Sequence, residues 1–182
     1  KSYFTPFDIE IKKTHAQNGN SLGHHFYAHI KDLKQDFHKL KKSIFGLIPK
    51  EQTTHEMNKF NEIVGDILPA KLVGHTLGFG VSMAFVHIMD LTTMLMSIYD
   101  YPELLHTAID NLTDDIVEYY KLLQDNNYLL PTVDEIRVGQ GSYAFTNKLP
   151  KNKSNCMLSD IWFYTDSQET SDISPQMYKE FF

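Results

Sequence analysis

The strongest periodic signal lies in residues 102–125. Leu105, Ala108, Ile109, Leu112, Ile116, Tyr119 and Leu123 recur at helical spacing, while Asp110, Asp114, Glu118 and Lys121 take the other face. That pattern predicts a long amphipathic helix packed on one side against a core. Pro102 suits its first turn and Asn126-Asn127 ends it. Shorter stripes predict further helices. Leu33, Phe37 and Leu40 predict one over 31–43, with Lys39, Lys41 and Lys42 on a solvated face. Met57, Phe60 and Val64 predict the next, with Thr53 and Glu56 at the spacing of a capping box. Residues 174–182 predict a last one, with Ser174 as N-cap, Pro175 in the first turn, and Met177, Tyr178, Phe181 and Phe182 on one face. Residues 81–99 are apolar and Met-rich, a core stretch too interrupted by Ser82, His87, Asp90, Thr92 and Thr93 to cross a membrane.

Between these helices, three short apolar runs predict strands: 67–75, where Pro69 restricts pairing, 128–133, and 160–164 with its cluster Ile161, Trp162, Phe163 and Tyr164. Strands alternating with helices predict an α/β protein with a parallel sheet. Residues 160–182, a strand, an acidic loop and a helix, have the form of one unit of a (β/α)8 barrel. In that architecture the groups after the strands share a rim. They are His75, then Asp134, Glu135 and Arg137, then Asp166, Gln168 and Glu169. The acidic loop reads equally well as an ordinary surface connection, because fold alone does not assign function. The long connection 138–159, opening on Gly139-Gln140-Gly141, reads as a lid or a plain excursion.

Composition narrows the function. Hydrophobic residues make up 42% and aromatics 13%, enough for a sizeable core. The formal charge of −6 and a single arginine, Arg137, exclude a general nucleic-acid binder and a multi-arginine anion clamp. One cysteine, Cys156, allows no internal disulfide and no multi-cysteine zinc site, which fits a reducing, cytoplasmic compartment. The first residues hold no apolar signal-peptide core, and the missing initiator Met suggests a segment of a longer product. His25 and His29 stand four apart, as a metal pair on a helix would, but no third ligand is marked, so solvated or core-edge histidines are the better reading and no metal site is assigned. His87 and Asp90, three apart, could form a catalytic pair or, more commonly, a satisfied buried one.

A family resemblance rests on the order Tyr99-Asp100-Tyr101-Pro102-Glu103, the long helix to Asp125, Asp166-Ser167, and Ser174-Pro175-Gln176-Met177-Tyr178. This progression resembles the uroporphyrinogen decarboxylase superfamily. The resemblance implies a (β/α)8 TIM barrel with parallel strands and outer helices. It implies a cofactor-free carboxy-lyase acting on a tetrapyrrole carboxylate, or a zinc-dependent methyltransferase that works with a corrinoid protein and a methyl carrier. Asp166 and Glu169 would then be catalytic. Ser167, Gln168, His75, Asp134, Arg137 and Phe85 would bind the ligand, Phe85 standing where the decarboxylases place a tyrosine. The arginine-rich loop of the decarboxylases is absent. The family's catalytic histidine and its zinc ligands would lie beyond Phe182, so no zinc ligand is visible in this segment. Residues 1–182 are thus expected to be one partial barrel domain without its C-terminal strands. Such a piece would expose strand edges, and the alternative function is a truncated, non-catalytic barrel that self-assembles or binds a partner. Neither nucleic acid nor membrane is expected as a partner.

Overall fold

In the computed structural model, which describes residues 1–15, 24–74, 76–133, 137–139, 142–143 and 146–182, regular structure comes in short pieces around a few well-formed helices. The strands are β1 (Ser2–Thr5), β2 (Lys13–His15), β3 (His24–Phe26), β4 (Ile44–Leu47), β5 (Leu77–Gly78), β6 (Arg137–Gly139), β7 (Ser142–Tyr143) and β8 (Phe163–Tyr164). The helices are α1 (Leu33–Asp36), α2 (Lys50–Val64), α3 (Val81–Val86), α4 (Leu91–Asp100), α5 (Pro102–Asp125) and α6 (Pro175–Phe181).

The strands pair only two by two: β1 with β4, β2 with β3, β5 with β8, and β6 with β7. Among the described residues no sheet gains a third strand and no barrel closes, so the expected TIM barrel, whole or partial, is not the fold. Two of the three expected strands are absent, and the third is shortened. Residues 66–74 leave α2 as turns, with Ala70 N–H donating to Asn61 Oδ1 at 2.6 Å, and Ile67 is 75% exposed rather than buried. Residues 128–133 bury Leu129, Thr132 and Val133 without forming a strand. Pro131 has no N–H for a ladder, and the Pro131 carbonyl instead lies against Gly74, where a Cβ would collide with it. Of residues 160–164 only β8 is extended and paired. It runs parallel to β5, Leu77 opposite Phe163 and Gly78 opposite Tyr164.

The helices follow the sequence more closely. α5 buries Leu105, Ala108, Ile109, Leu112, Ile116 and Leu123 as the stripe predicts, with Tyr120 rather than Tyr119 completing it. α6 begins on Ser174, whose hydroxyl accepts the Met177 N–H at 3.2 Å, with Pro175 in its first turn. The apolar stretch 81–99 splits into α3 and α4, because Asp90 turns out and caps α4 by accepting the Thr93 N–H at 2.7 Å. The predicted helix 31–43 shrinks to α1 and a 3-10 turn at Phe37–Lys39. There the Asp36 carboxylate accepts the N–H groups of Lys31 and Asp32, drawing the chain back on itself. α2 starts at Lys50, before the expected capping box, and buries none of its residues. His25 lies on β3 and His29 beyond it, so the pair shares no helix face.

The chain packs as two compact units. The first comprises Lys1–Phe4, Phe45–Gly78 and Glu118–Tyr164. Its centre is aromatic. Phe4 stacks on Phe45 with ring centroids 5.7 Å apart, Tyr119 packs against both, and its hydroxyl meets Ser2 Oγ at 2.6 Å. The second comprises Thr5–Ile44, Phe79–Val117 and Thr165–Phe182. Here Asp115, 7% exposed, accepts the Ser43 N–H at 2.7 Å, and Ser43 Oγ accepts the Phe7 N–H at 3.1 Å. Phe7 adopts φ 54°, a left-handed backbone that costs a bulky residue energy, and its buried ring meets Phe85 at 5.6 Å.

Ser43→Ala removes the acceptor of a buried N–H and is expected to lower stability by about 1–3 kcal/mol in urea denaturation; a loss no larger than that of an exposed serine would show that Phe7 is held by packing alone. A second expectation concerns Tyr120. Burial first, then neighbouring Tyr119, pushes its hydroxyl from 10.0 up to about 12, against an opposing hydrogen bond with the Gly78 backbone. The folded state therefore keeps a proton that the unfolded chain releases. The associated stability is present below pH 10.0 and lost as pH rises to about 12. Tyr120→Phe should flatten that part of the difference between the two pH–stability curves.

Candidate functional site

Four of the sequence-predicted residues, Asp166, Ser167, Gln168 and Glu169, lie in the loop between β8 and α6, and this loop packs against α3 in the second unit. Thr165 Oγ1 donates to the Phe79 carbonyl at 2.9 Å and fixes the start of the loop. A 3-10 turn at Gln168–Thr170 then brings Glu169 back to Ser82, whose Oγ donates to Glu169 Oε2 at 2.7 Å. Ser167 Oγ stands 2.9 Å from Thr170 Oγ1, and Thr170 Oγ1 donates to the Ser167 carbonyl at 2.7 Å.

Each hydroxyl carries one proton, and this fixes the direction of the chain. Thr170 gives its proton to the Ser167 carbonyl, so Ser167 must donate to Thr170. Ser82 gives its proton to Glu169, so the 3.3 Å approach of Ser82 to Ser167 has no proton of its own. Ser82 is also 1% exposed. At 1% exposure the Ser82 hydroxyl has no open path to a substrate, and its bond to Glu169 clasps the loop to α3. Gly80 lets Asp166 lie close, since a Cβ there would come within 3.1 Å of Asp166 Oδ1. Asp166 and Glu169 are half-buried and Gln168 is exposed.

The remaining predicted residues are placed elsewhere. Phe85 is wholly buried against Phe7 in the core of the second unit. Arg137 belongs to the first unit, exposed on β6, where its carbonyl accepts from Thr76 Oγ1 at 3.2 Å. His75 and Asp134, like Glu135, lie outside the described residues. His87 packs at a tilt against Phe26, ring centroids 4.0 Å apart, while Asp90 caps α4. Among the described residues no group of three His, Cys, Asp or Glu side chains is arranged to hold a metal ion, and no helix is long and apolar enough to cross a membrane.

The first unit holds a concavity that no local sequence pattern announced. It measures about 850 Å³ and draws on residues near positions 1, 50, 73, 125 and 155. Leu72, Val73, Leu77, Leu123, Leu129 and Leu130 give it an apolar wall. Its polar groups include Lys1, Lys50, Thr53, Asn127 and Asn155. Two tyrosines of the wall are already anchored, Tyr119 on Ser2 and Tyr128 by donating to the Ile48 carbonyl at 2.8 Å. Lys1 is ion-paired with Glu56. Lys50 Nζ lies 5.0 Å from the centroid of the Tyr128 ring. Thr53 Oγ1 is buried with no hydrogen-bond partner.

Comparison with known protein families, with characterised proteins and with solved structures gives no match.

The clasp is testable by substitution. Glu169→Ala strands the buried Ser82 hydroxyl and should cost about 1–3 kcal/mol, whereas Glu169→Gln keeps an acceptor oxygen and should cost under about 1 kcal/mol. Equal losses in urea denaturation would show that the Ser82–Glu169 bond does not hold the loop.

Proposed function

We propose that this protein binds a small organic molecule in the pocket of its first unit. The observation that carries the proposal is a drug-sized, largely apolar concavity with a few polar side chains on its wall, Lys50 among them. Ligand sites of about 300–1,000 Å³ have this make-up, an apolar wall with a few placed polar groups. The anchored tyrosines keep the wall in shape before binding, which lowers the entropy cost of association. The lone Cys156, buried and with its thiol pushed up chiefly by that burial, suits a reducing cytoplasmic setting.

A second reading is a carboxy-lyase acting on a tetrapyrrole carboxylate. What supports it is that Asp166 and Glu169 share one loop beside α3 with Ser167 between them. Carboxylates near a pyrrole ring would stabilise positive charge formed on protonation before loss of CO2. Incubation with porphyrinogen and measurement of carboxylate loss decides it: no turnover, or turnover unchanged in Asp166→Asn, removes this reading.

For the binding proposal, the uncharged fluorophore N-phenyl-1-naphthylamine is expected to bind saturably with one site per chain. Val73 is 51% exposed on the wall, so Val73→Trp can fill the pocket without disturbing the core, and it should weaken binding about tenfold or more. Ile67→Asp, which charges an exposed apolar residue outside the pocket, should leave binding unchanged. The reverse pattern would mean that the probe reports exposed surface and that the pocket is not a site.

A further inference from the structure

We infer that the pocket takes an organic monoanion, an apolar body bearing one carboxylate or sulfonate head, and that Lys50 recognises the head. This rests on the pocket being a binding site. The charge of the wall is what distinguishes the ligand class. The chain holds 23 Asp and Glu against 17 Lys and Arg, yet among the described residues no carboxylate lines the pocket, while two lysines do. A cationic ligand would find no counter-charge among the described residues of the wall, and burying it unpaired would be costly.

The two lysines are not equivalent. Lys1 is neutralised by Glu56, whose carboxyl is held below its usual range by the hydrogen bond from Lys1. Lys50 makes no ion pair with any described residue. Its contact is with the face of the Tyr128 ring, and Tyr128 is itself anchored to the Ile48 carbonyl. A ring face orients an ammonium without taking up its charge, and it leaves N–H donors for an anion. Among the described residues of the wall, one cation without an ion pair matches one negative charge. A di- or triphosphate would need several, and the single arginine of the chain, Arg137, is not on the wall. The amides of Asn127 and Asn155 can supply further donors to the head, and the leucine-rich wall accounts for the apolar body.

A matched pair of probes tests this. 8-Anilinonaphthalene-1-sulfonate and N-phenyl-1-naphthylamine share one skeleton and differ by the sulfonate. In fluorescence titrations of the full chain, the sulfonate is expected to bind about tenfold or more tightly than the neutral probe, as a charge-assisted contact predicts. Lys50→Gln should abolish that preference and Lys50→Arg should retain it, while Val73→Trp should weaken both probes. Equal affinity for the two probes, or a preference that survives Lys50→Gln, overturns the monoanion inference and leaves the pocket as a site for a neutral ligand. If neither probe binds in a Val73-sensitive manner, the binding function itself fails.

Discussion

A single buried carboxylate organises the second unit. Asp115 holds the Ser43 N–H, Ser43 holds the Phe7 N–H, and the Phe7 ring meets Phe85 on α3. Three residues before Phe85, on the same helix, Ser82 holds Glu169. The Asp166–Thr170 loop is thus positioned by a continuous path of hydrogen bonds and ring contact that begins at Asp115. The left-handed backbone of Phe7 shows that the path carries load, since a non-glycine residue keeps φ 54° only where its surroundings hold it there. Aspartate in a core is expensive, and here its oxygen accepts a backbone N–H that has to be satisfied somewhere.

The first unit solves a different problem. Its pocket would collapse if the wall could relax, because apolar side chains close on empty space. The tyrosines prevent this: Tyr119 is tied to Ser2 and packs at a tilt against Phe4 and Phe45, and Tyr128 is tied to Ile48. The hydroxyls that build the wall are spent on the protein itself. The Lys50 ammonium, on the first turn of α2, makes no ion pair with a described residue. On the proposed binding role, structure and recognition would fall to different side chains, which is the condition for a pocket that is formed before its ligand arrives.

What could be read in the sequence tracks how local its cause is. α5 and α6 were legible because caps and periodicity lie within the helices themselves. The slip from Tyr119 to Tyr120 is one helical step at the edge of the buried stripe. The strands were not legible. A short apolar run such as 128–133 looks the same whether it joins a ladder or merely packs, and Pro131 takes the second course. With two of the three expected strands absent and the third reduced to Phe163–Tyr164, the alternation that implied a barrel disappears, although the order of motifs behind the resemblance stands in the sequence unchanged. The loop Asp166–Thr170 was singled out from its acidity, but its partner Ser82 lies 85 residues away in sequence from Ser167 and had no signal of its own. The pocket was invisible because its wall comes from five separated segments, none with a motif.

The division between binding and catalysis turns on where protons and charges are free. In the clasp every hydroxyl proton has an acceptor inside the protein, and the serine nearest a carboxylate is sealed from solvent. Such an arrangement is well made for holding a loop and poorly made for passing a proton to a substrate, because the donors would first have to be released. In the pocket the reverse holds: the ammonium of Lys50, without an ion pair among the described residues, stands on the wall of a space large enough for a ligand. Unsatisfied groups beside a cavity are where binding energy remains to be gained, and satisfied ones are where the fold has already used it.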